Sequence, residues 1–261
     1  PAHYRDSVLW VPGPPSAAGV GVAHTLASLE SIGEACDATG IETVHNLRNA
    51  LTSTVNMRGK AFLQDLFTDG FGAAFMARVN ALRRGETLQS AGFTTNISTV
   101  DSAGNAVAIT HSLGETAGEI AGSTGVIINN FLGELDVNPP FFRRPAGGRL
   151  ITMCCPSILE TADGRIVALG SGGSSRIPTA VVHGAMYMVD HGWSVTEAVE
   201  APRTHMEGGK LHVESSGRTD STMESVLELD EAFARFDGPN MFFGGLHAAS
   251  VGPNGFEGCG D

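Results

Sequence analysis

The sequence predicts a mixed α+β fold in which a sheet packs against another sheet or against helices. Apolar residues recur at helical spacing up to about residue 85. After Thr94 the pattern changes to short, strand-like runs separated by turn residues, and helical spacing returns at about residue 177. Helices, hairpins and helices in one chain are typical of a layered body with a single core.

The first part of the chain is predicted to be mostly helical. Residues 8–11 form a short strand, and the Pro- and Gly-rich stretch 12–16 ends it. Residues 17–31 have the spacing of an amphipathic helix. Residues 41–67 and 71–84 have helical character as well, with apolar stripes that favour core packing.

The second part is predicted to contain two hairpins followed by two helices. The turn at 102–105 separates the strands of the first hairpin, and an Ala-Asp-Gly turn separates those of the second. The elements are strands at 96–101 and 106–110, an apolar run at 126–130, strands within 150–159 and 165–170, and helices at 177–190 and 195–199.

Composition excludes several classes of function. The chain has 261 residues, of which 42% are hydrophobic and 17% charged, as expected for a globular protein with a core. No apolar run reaches the roughly 18–20 residues of a membrane span. The net charge is −12, and most of it lies after residue 93. Such a field repels nucleic-acid phosphates and anionic membranes, so neither is an expected partner.

Thr94 stands where a loop-like segment meets the first predicted hairpin. A threonine in mid-chain is ordinary, and its hydroxyl is a poor nucleophile without an adjacent base. If the chain were cut between Phe93 and Thr94, the hydroxyl and a new α-amine would belong to one residue. An α-amine has a pKa of about 7.7–8.0, which suits a general base. Thr94 is therefore a candidate nucleophile, provided that the chain is processed there.

The Gly-Ser turn at 170–175 precedes the long predicted helix. Backbone N–H groups at such a turn bind anions, but the lysine of a phosphate-binding loop is absent. The same geometry suits an oxyanion hole for amide hydrolysis. A plain strand-to-helix turn remains the alternative.

The cysteines and histidines do not predict a metal site. Cys36, Cys154, Cys155 and Cys259 have no metal-binding spacing, and no HExxH pattern occurs. Cys154 and Cys155 are interpreted as small core thiols on a strand. The sequence therefore predicts neither a metal nor another cofactor.

Several runs together resemble the γ-glutamyltransferase family of N-terminal-nucleophile hydrolases. The run 94–110 resembles the start of the family's small subunit, and 149–156, 170–177 and 197–203 resemble later motifs in the same order. Upstream, 11–19 is similar to a proline-serine-glycine stretch late in the large subunit.

This resemblance implies a four-layer αββα sandwich, with stacked antiparallel sheets between helical layers. Residues 1–93 would correspond to the end of the large subunit and be mostly helical. Residues 94–261 would be the small-subunit-like catalytic region, and both would belong to one fold.

The resemblance also implies an autoprocessed enzyme that forms an acyl-ester. Thr94 falls on the nucleophile, and Phe93–Thr94 is the expected cut. Ser112 falls on a hydroxyl that assists the nucleophile. Gly173 and Ser174 fall on two glycines whose N–H groups form the oxyanion hole.

The substrate-binding positions match less well. Glu134 falls on an acidic residue that holds the substrate's α-amino group, and Thr152 on one of two serines that bind its α-carboxylate. Met153 replaces the second serine, Phe131 replaces a polar ligand of the amino group, and Gly114 replaces an asparagine beside the nucleophile. Each lost hydrogen bond to a charged group costs about 1.5–3 kcal/mol, which weakens the case for a γ-glutamyl donor.

Four functions remain open at this point, the last of them an unrelated small-molecule binder. The first is an N-terminal-threonine hydrolase or acyltransferase acting on γ-glutamyl amides, such as those of glutathione metabolism. The second is a non-glutamyl acylase or amidohydrolase of the same family, and the third is an inactive binding or structural homologue. The expected partners are a small-molecule amide and a large-subunit segment or second chain that completes the fold, with a homo- or hetero-oligomer as a further possibility. The sequence does not distinguish a periplasmic or secreted location from a cytoplasmic one.

Overall fold

The computed structural model describes residues 1–32, 38, 40–71, 93–135, 137–142, 144–214 and 233–261. The helix predicted at 71–84 lies outside the described residues apart from Phe71. Within the described residues, no helix is long and apolar enough to cross a bilayer.

A six-stranded antiparallel sheet forms the centre of the molecule. Its strands run in the order β1-β2-β5-β6-β10-β11. They are β1 (Ala2–Tyr4), β2 (Ser7–Trp10), β5 (Ser157–Glu160), β6 (Ile166–Gly172), β10 (Gly245–Gly252) and β11 (Gly255–Gly260). The sheet therefore joins the first residues of the chain to the last ones.

Helices cover one face of this sheet. The helices that pack on it are α1 (Ala17–Glu30), α4 (Ile177–Asp190) and α5 (Val195–Glu200), while α2 (Ile41–Met57) packs against α1 and is followed by α3 (Lys60–Asp65). Ser16 caps α1, because its Oγ accepts a hydrogen bond from the Gly19 N–H at 3.0 Å. Ser194 and Glu197 form a capping box at the start of α5.

The core lies between α1, α4 and the central sheet. Leu9, Leu159 and Leu169 from the sheet and Leu26 and Val181 from the helices are completely or almost completely buried. Each fully buried aliphatic side chain contributes about 1.5–3 kcal/mol relative to an exposed one. This packing fixes the position of β6 and of the turn that follows it.

The hairpin of β3 (Phe93–Val100) and β4 (Ala106–Gly114) stacks on the other face of the sheet. Asn96 is buried and lies against Gly170 of β6, where a Cβ would overlap its side chain. Ser98 Oγ donates to the carbonyl oxygen of His247 in β10 at 3.2 Å. The opposite face of the hairpin carries Ile97 and Ile109, which face each other across the strands and are half exposed.

A three-stranded sheet completes the described elements. It consists of β7 (Thr204–Glu207), β8 (Lys210–Glu214) and β9 (Phe233–Phe236), in that order. β8 pairs with β7 in antiparallel fashion and with β9 in parallel fashion.

One local expectation was wrong, and one apolar run lies outside the core. The apolar run 126–130 belongs to a largely exposed loop, held by single backbone bonds such as that between the Ile128 N–H and the Glu119 carbonyl at 2.9 Å. The predicted strand 150–159 begins only at Ser157, so Cys154 and Cys155 precede it. The cause is a hydrogen bond from the Cys154 N–H to Thr152 Oγ1, which replaces ladder pairing.

Candidate active site

Thr94 and Ser112 face each other at the end of the β3–β4 hairpin. The two residues are paired across the strands, whereas Phe93 pairs with Gly114. One extra residue, Leu113, is thus accommodated in a bulge beside Thr94. The Oγ1 of Thr94 and the Oγ of Ser112 are 3.0 Å apart, within hydrogen-bond distance.

The hydroxyl of Ser112 is held from its other side as well. The Gly114 N–H donates to Ser112 Oγ at 3.0 Å. This bond occupies one acceptor site of the serine oxygen. The bulge therefore orients Ser112 toward the threonine hydroxyl.

The turn after β6 lies directly against Thr94. A Cβ built on Gly172 would be 2.5 Å from the Thr94 carbonyl oxygen and 3.5 Å from Thr94 Cβ. Only glycine permits this close approach of the two strands. Gly173, which follows, has a φ of 115° and lies against Gly244, so a side chain there would also clash.

Ser174 has a strained backbone for a residue other than glycine. Its φ is 53°, in the left-handed region. Strain of this kind costs of order 1–3 kcal/mol, and such residues cluster at functional sites. The turn lies between the end of β6 at Gly172 and the start of α4 five residues later, and it contains a short 3₁₀ segment, Ser174–Arg176.

Thr94 opens into a cleft of about 560 Å³. Its lining includes Thr94, Gly172, Gly173, Arg203, Asn240 and His247. Arg203 is buried, and its guanidinium binds Glu214 at 3.5 Å and the carbonyl oxygen of Gly244 at 3.0 Å. It also forms an ion pair with Asp261, another residue of the cleft.

Glu134 lies on the other side of the Ser112 bulge. Its carboxylate is so close to Gly114 that a Cβ on the glycine would overlap Glu134 Oε1. Glu134 is buried, and its negative charge acts on the Cys154 thiol. The pKa of Cys154 is raised mainly by burial and further by this charge. Burial raises the pKa of Cys155 to about 12. Both thiols are therefore protonated at neutral pH and poor nucleophiles.

Thr152 and Met153 lie where the chain passes the start of α1. Thr152 accepts the Ala17 N–H through its carbonyl oxygen at 3.1 Å and the Cys154 N–H through its Oγ1 at 3.0 Å. Met153 is buried, and its Sδ accepts a hydrogen bond from Arg58 Nη2 at 3.1 Å. An apolar side chain thus occupies a position where a hydroxyl was expected from the resemblance.

The arrangement brings together two hydroxyl groups, a glycine-containing turn and a cleft. Among the described residues, no group of three or more His, Cys, Asp or Glu side chains is placed to hold a metal ion. A hydroxyl pair, a glycine turn and a cleft are instead the features of a site for a covalent nucleophile.

Comparison with known proteins decides the family. The family model described as Gamma-glutamyltranspeptidase matches residues 1–261. The chain belongs to the gamma-glutamyltranspeptidase family. This confirms the resemblance found in the sequence.

Curated relatives include both acylases and glutathione hydrolases. Acylase ACY 1 proenzyme of Pseudomonas sp. (strain V22) is 28% identical over 272 residues, covering 97% of this chain and 48% of that protein. Glutathione hydrolase proenzyme of Escherichia coli (strain K12) is 33% identical over 177 residues, covering 62% of this chain and 30% of that protein. The aligned part of the chain thus covers about half the length of the acylase and less than a third of the length of the hydrolase. Both of these relatives are enzymes.

Solved structures confirm the fold class. Cephalosporin acylase from Bacillus halodurans is similar with a TM-score of 0.71 and 18% identity, over 99% of this chain and 49% of that one. The predicted N-terminal-nucleophile sandwich with stacked antiparallel sheets is therefore the fold of this gamma-glutamyltranspeptidase family member.

The structure places the family-derived site residues in two groups. Thr94, Ser112 and Gly173 lie together at the Thr94 cleft, with Ser174 buried next to Gly173. Gly114, Glu134, Thr152 and Met153 lie behind the Ser112 bulge and beside Cys154. The catalytic roles given to these residues remain predictions.

Sequence reasoning missed two residues of the second group. Asn130 directs its side chain at Gly114, and Arg58 contacts Met153. Asn130 ends the apolar run at 126–130, and Arg58 precedes a glycine that stops a helix, so both resemble ordinary element ends in sequence. Only the contact across the chain distinguishes them.

Proposed function

We propose that this chain is an autoprocessed N-terminal-threonine amide hydrolase or acyltransferase. The Phe93–Thr94 bond is cut, and Thr94 becomes the nucleophile. The observation that carries the proposal is the 3.0 Å contact between Thr94 Oγ1 and Ser112 Oγ at the edge of an open cleft. The cut would divide the chain into 1–93 and 94–261, the two regions expected from the sequence.

In the proposed mechanism, the freed α-amine of Thr94 accepts the proton of its own hydroxyl. Oγ1 attacks the amide carbonyl, and the N–H groups of Gly173 and Ser174 stabilise the oxyanion. The α-ammonium returns the proton to the leaving amine, and an ester at Thr94 remains. Water then hydrolyses the ester, or a second amine takes the acyl group. Ser112 holds the hydroxyl in position throughout.

The acyl donor is a γ-glutamyl amide or another acyl amide, and two observations favour the second. The position expected to bind a carboxylate is occupied by Met153, whose sulfur already accepts a hydrogen bond from Arg58. The acylase relative aligns with 97% of this chain, whereas the glutathione hydrolase aligns with 62%. An acylase or amidohydrolase is therefore the favoured version of the proposal.

A further segment or a second chain completes the molecule in this proposal. Its expected contact is the outer face of the β3–β4 hairpin, where Ile97, Val107 and Ile109 are each half exposed. Burying aliphatic side chains of this size stabilises an interface. Ile109→Lys should weaken the association of the chain with this segment or second chain, as measured by analytical ultracentrifugation. An unchanged sedimentation profile would contradict this part of the proposal.

The experiment that tests the function is intact-mass measurement combined with amide hydrolysis. Wild-type and Thr94→Ser chains should appear as two fragments, the second beginning at residue 94, and should release p-nitroaniline from an acyl anilide. Thr94→Ala should remain one chain and be inactive. Thr99→Ala is the matched control, because Thr99 is exposed on the same strand, pairs with Val107 and does not line the cleft. An uncut chain that hydrolyses amides would refute the proposal, and an uncut, inactive wild type would favour a binding homologue.

A further inference from the structure

A second cavity, of about 360 Å³, lies between α1, α2, α3 and the start of α4. Its walls are mainly apolar and are formed by Leu51, Leu63, Leu135, Phe141, Met153 and Met206. Nothing in the mechanism above uses this space. Cavities of this size with apolar walls and few polar groups are typical ligand sites.

One buried polar atom points to a ligand in this cavity. His205 lines it and is only 4% exposed. Its Nδ1 is hydrogen-bonded to Thr179 Oγ1 at 3.0 Å, whereas its Nε2 has no hydrogen-bond partner among the described residues. A buried ring nitrogen without a partner is unfavourable unless a ligand or a water pairs with it.

The cavity is adjacent to the candidate active site. Met153, one of the candidate substrate-binding residues, lines the cavity, and Leu135 and Ser175 in its wall each follow a candidate site residue, Glu134 and Ser174 respectively. Consecutive Cα atoms are about 3.8 Å apart, so the cavity begins directly behind these residues. An acyl group attached to Thr94 and passing Met153 would extend into it.

Two of the charged groups that line the cavity, Glu207 and Arg58, already have partners in the protein. Glu207 binds Arg176 at 3.3 Å and Ser175 Oγ at 3.2 Å. Lys60 lies 5.8 Å from the centre of the Phe141 ring, and Arg58 donates to Met153. Glu207, the acidic group of this lining, is thus already engaged and not available to the α-ammonium of a zwitterionic head, whereas an apolar chain would gain burial.

We propose that this cavity is the acyl-binding pocket and takes an uncharged, mainly apolar acyl chain. This rests on the proposed function, since it names the substrate class of the same site. His205 Nε2 supplies a hydrogen bond to a polar atom or water at the buried end. Met153 lines the pocket and contacts the acyl chain.

The test uses acetyl, hexanoyl and γ-glutamyl p-nitroanilides with the whole chain. The hexanoyl compound should have a kcat/KM about tenfold or more above that of the acetyl compound, because only it reaches the pocket. It should also exceed the γ-glutamyl compound. A preference for γ-glutamyl p-nitroanilide, or equal values for acetyl and hexanoyl, would overturn the inference.

Gly59→Trp tests the location. Gly59 lines the cavity, has a φ of −81°, and a Cβ there meets nothing within 4 Å. The indole should lower kcat/KM for hexanoyl p-nitroanilide about tenfold and leave the acetyl value unchanged. Gly13→Trp is the matched control, because a Cβ at Gly13 also meets nothing and Gly13 does not line the cavity. Equal loss for both anilides, or no loss, contradicts the assignment.

A binding measurement separates this inference from the function. Hexanoate, the product acid, should bind to the Thr94→Ala chain in a calorimetric titration, and Gly59→Trp in that background should abolish the binding. This result supports the pocket even where no anilide is hydrolysed. Absence of binding overturns the pocket even where Thr94 proves to be active.

Discussion

Asn130 Oδ1 fills the space into which a side chain at Gly114 would extend. A Cβ on Gly114 would be 2.7 Å from this oxygen, which also accepts the Glu115 N–H at 2.8 Å. The resemblance implied an asparagine at position 114. The structure instead brings an amide to the same place from a different segment, next to the glycine whose N–H orients Ser112.

We expect Gly114→Asn to destabilise the protein and to impair processing. The new side chain would displace Asn130 and Glu134, and overpacking of this kind costs about 1–3 kcal/mol. Chemical denaturation measures the loss. Gly118→Asn is the control, because Gly118 has a similar φ of 72° but open space around its Cβ. Equal stability of the two variants would show that the side chains of Asn130 and Glu134 move aside without a loss of stability.

Ser112→Ala should slow both processing and amide hydrolysis by about tenfold. It removes one hydrogen bond to the nucleophile, and such bonds contribute about 0.5–1.5 kcal/mol. Ser112→Thr keeps the hydroxyl and should retain most of the rate. A time course of fragment formation on a gel measures processing. Full-rate cleavage by Ser112→Ala would exclude an orienting role for this serine.

Ser174→Gly should raise the free energy of unfolding by about 0.5–1 kcal/mol. The left-handed φ of Ser174 is unfavourable for a residue with a Cβ, and glycine removes that strain while keeping the N–H. Thr116→Gly, at a φ of 64° in a loop, should give a comparable gain. Urea denaturation compares both variants with wild type. Destabilisation by Ser174→Gly alone would mean that the serine hydroxyl has a structural role.

His183 should make the protein less stable in acid. Its Nδ1 donates to the Thr179 carbonyl oxygen at 2.8 Å, and its Nε2 accepts the Thr204 N–H at 3.2 Å, so both nitrogens are satisfied in the neutral form. Burial lowers the pKa of His183 from 6.5 to about 4, against the effect of the Thr179 bond and with a smaller contribution from Arg203.

The unfolded chain therefore takes up this proton first as the pH falls. The contribution of neutral His183 to the free energy of unfolding is fully present above pH 6.5. It is lost between pH 6.5 and about 4, and the loss is on the order of 3 kcal/mol. His183→Gln, which keeps a donor and an acceptor, should show a smaller loss than wild type over this window. Urea denaturation from pH 7 to pH 4 measures the difference. His3→Gln, at an exposed position, is the control, and equal slopes for wild type and His183→Gln would contradict the assignment.

The sequence predicted the parts of the site that depend on local pattern. The hairpin around residues 102–105 brings Thr94 opposite Ser112, because antiparallel register follows from the turn. The turn after Gly170 was predicted from its glycines. Gly173 does adopt a φ that favours glycine.

What could not be predicted depends on contacts between distant segments. Arg58 and Met153 are 95 positions apart, and no spacing rule joins them. The loop at 126–130 was apolar enough for a strand, yet its isoleucines are exposed. Burial of such side chains depends on contacts with distant segments, and the acylase and glutathione hydrolase relatives are longer than this chain.

The central sheet has a consequence for the thermodynamics of a processed molecule. β2 is hydrogen-bonded to β5, so the residues before the expected cut are bound to the residues after it. Cleavage at Phe93–Thr94 would leave the folded body intact but make refolding bimolecular. The unfolding midpoint of the cut protein should then rise with protein concentration, whereas that of an uncut Thr94→Ala chain should not. Folding would have to precede processing, and a denatured enzyme at low concentration would not recover.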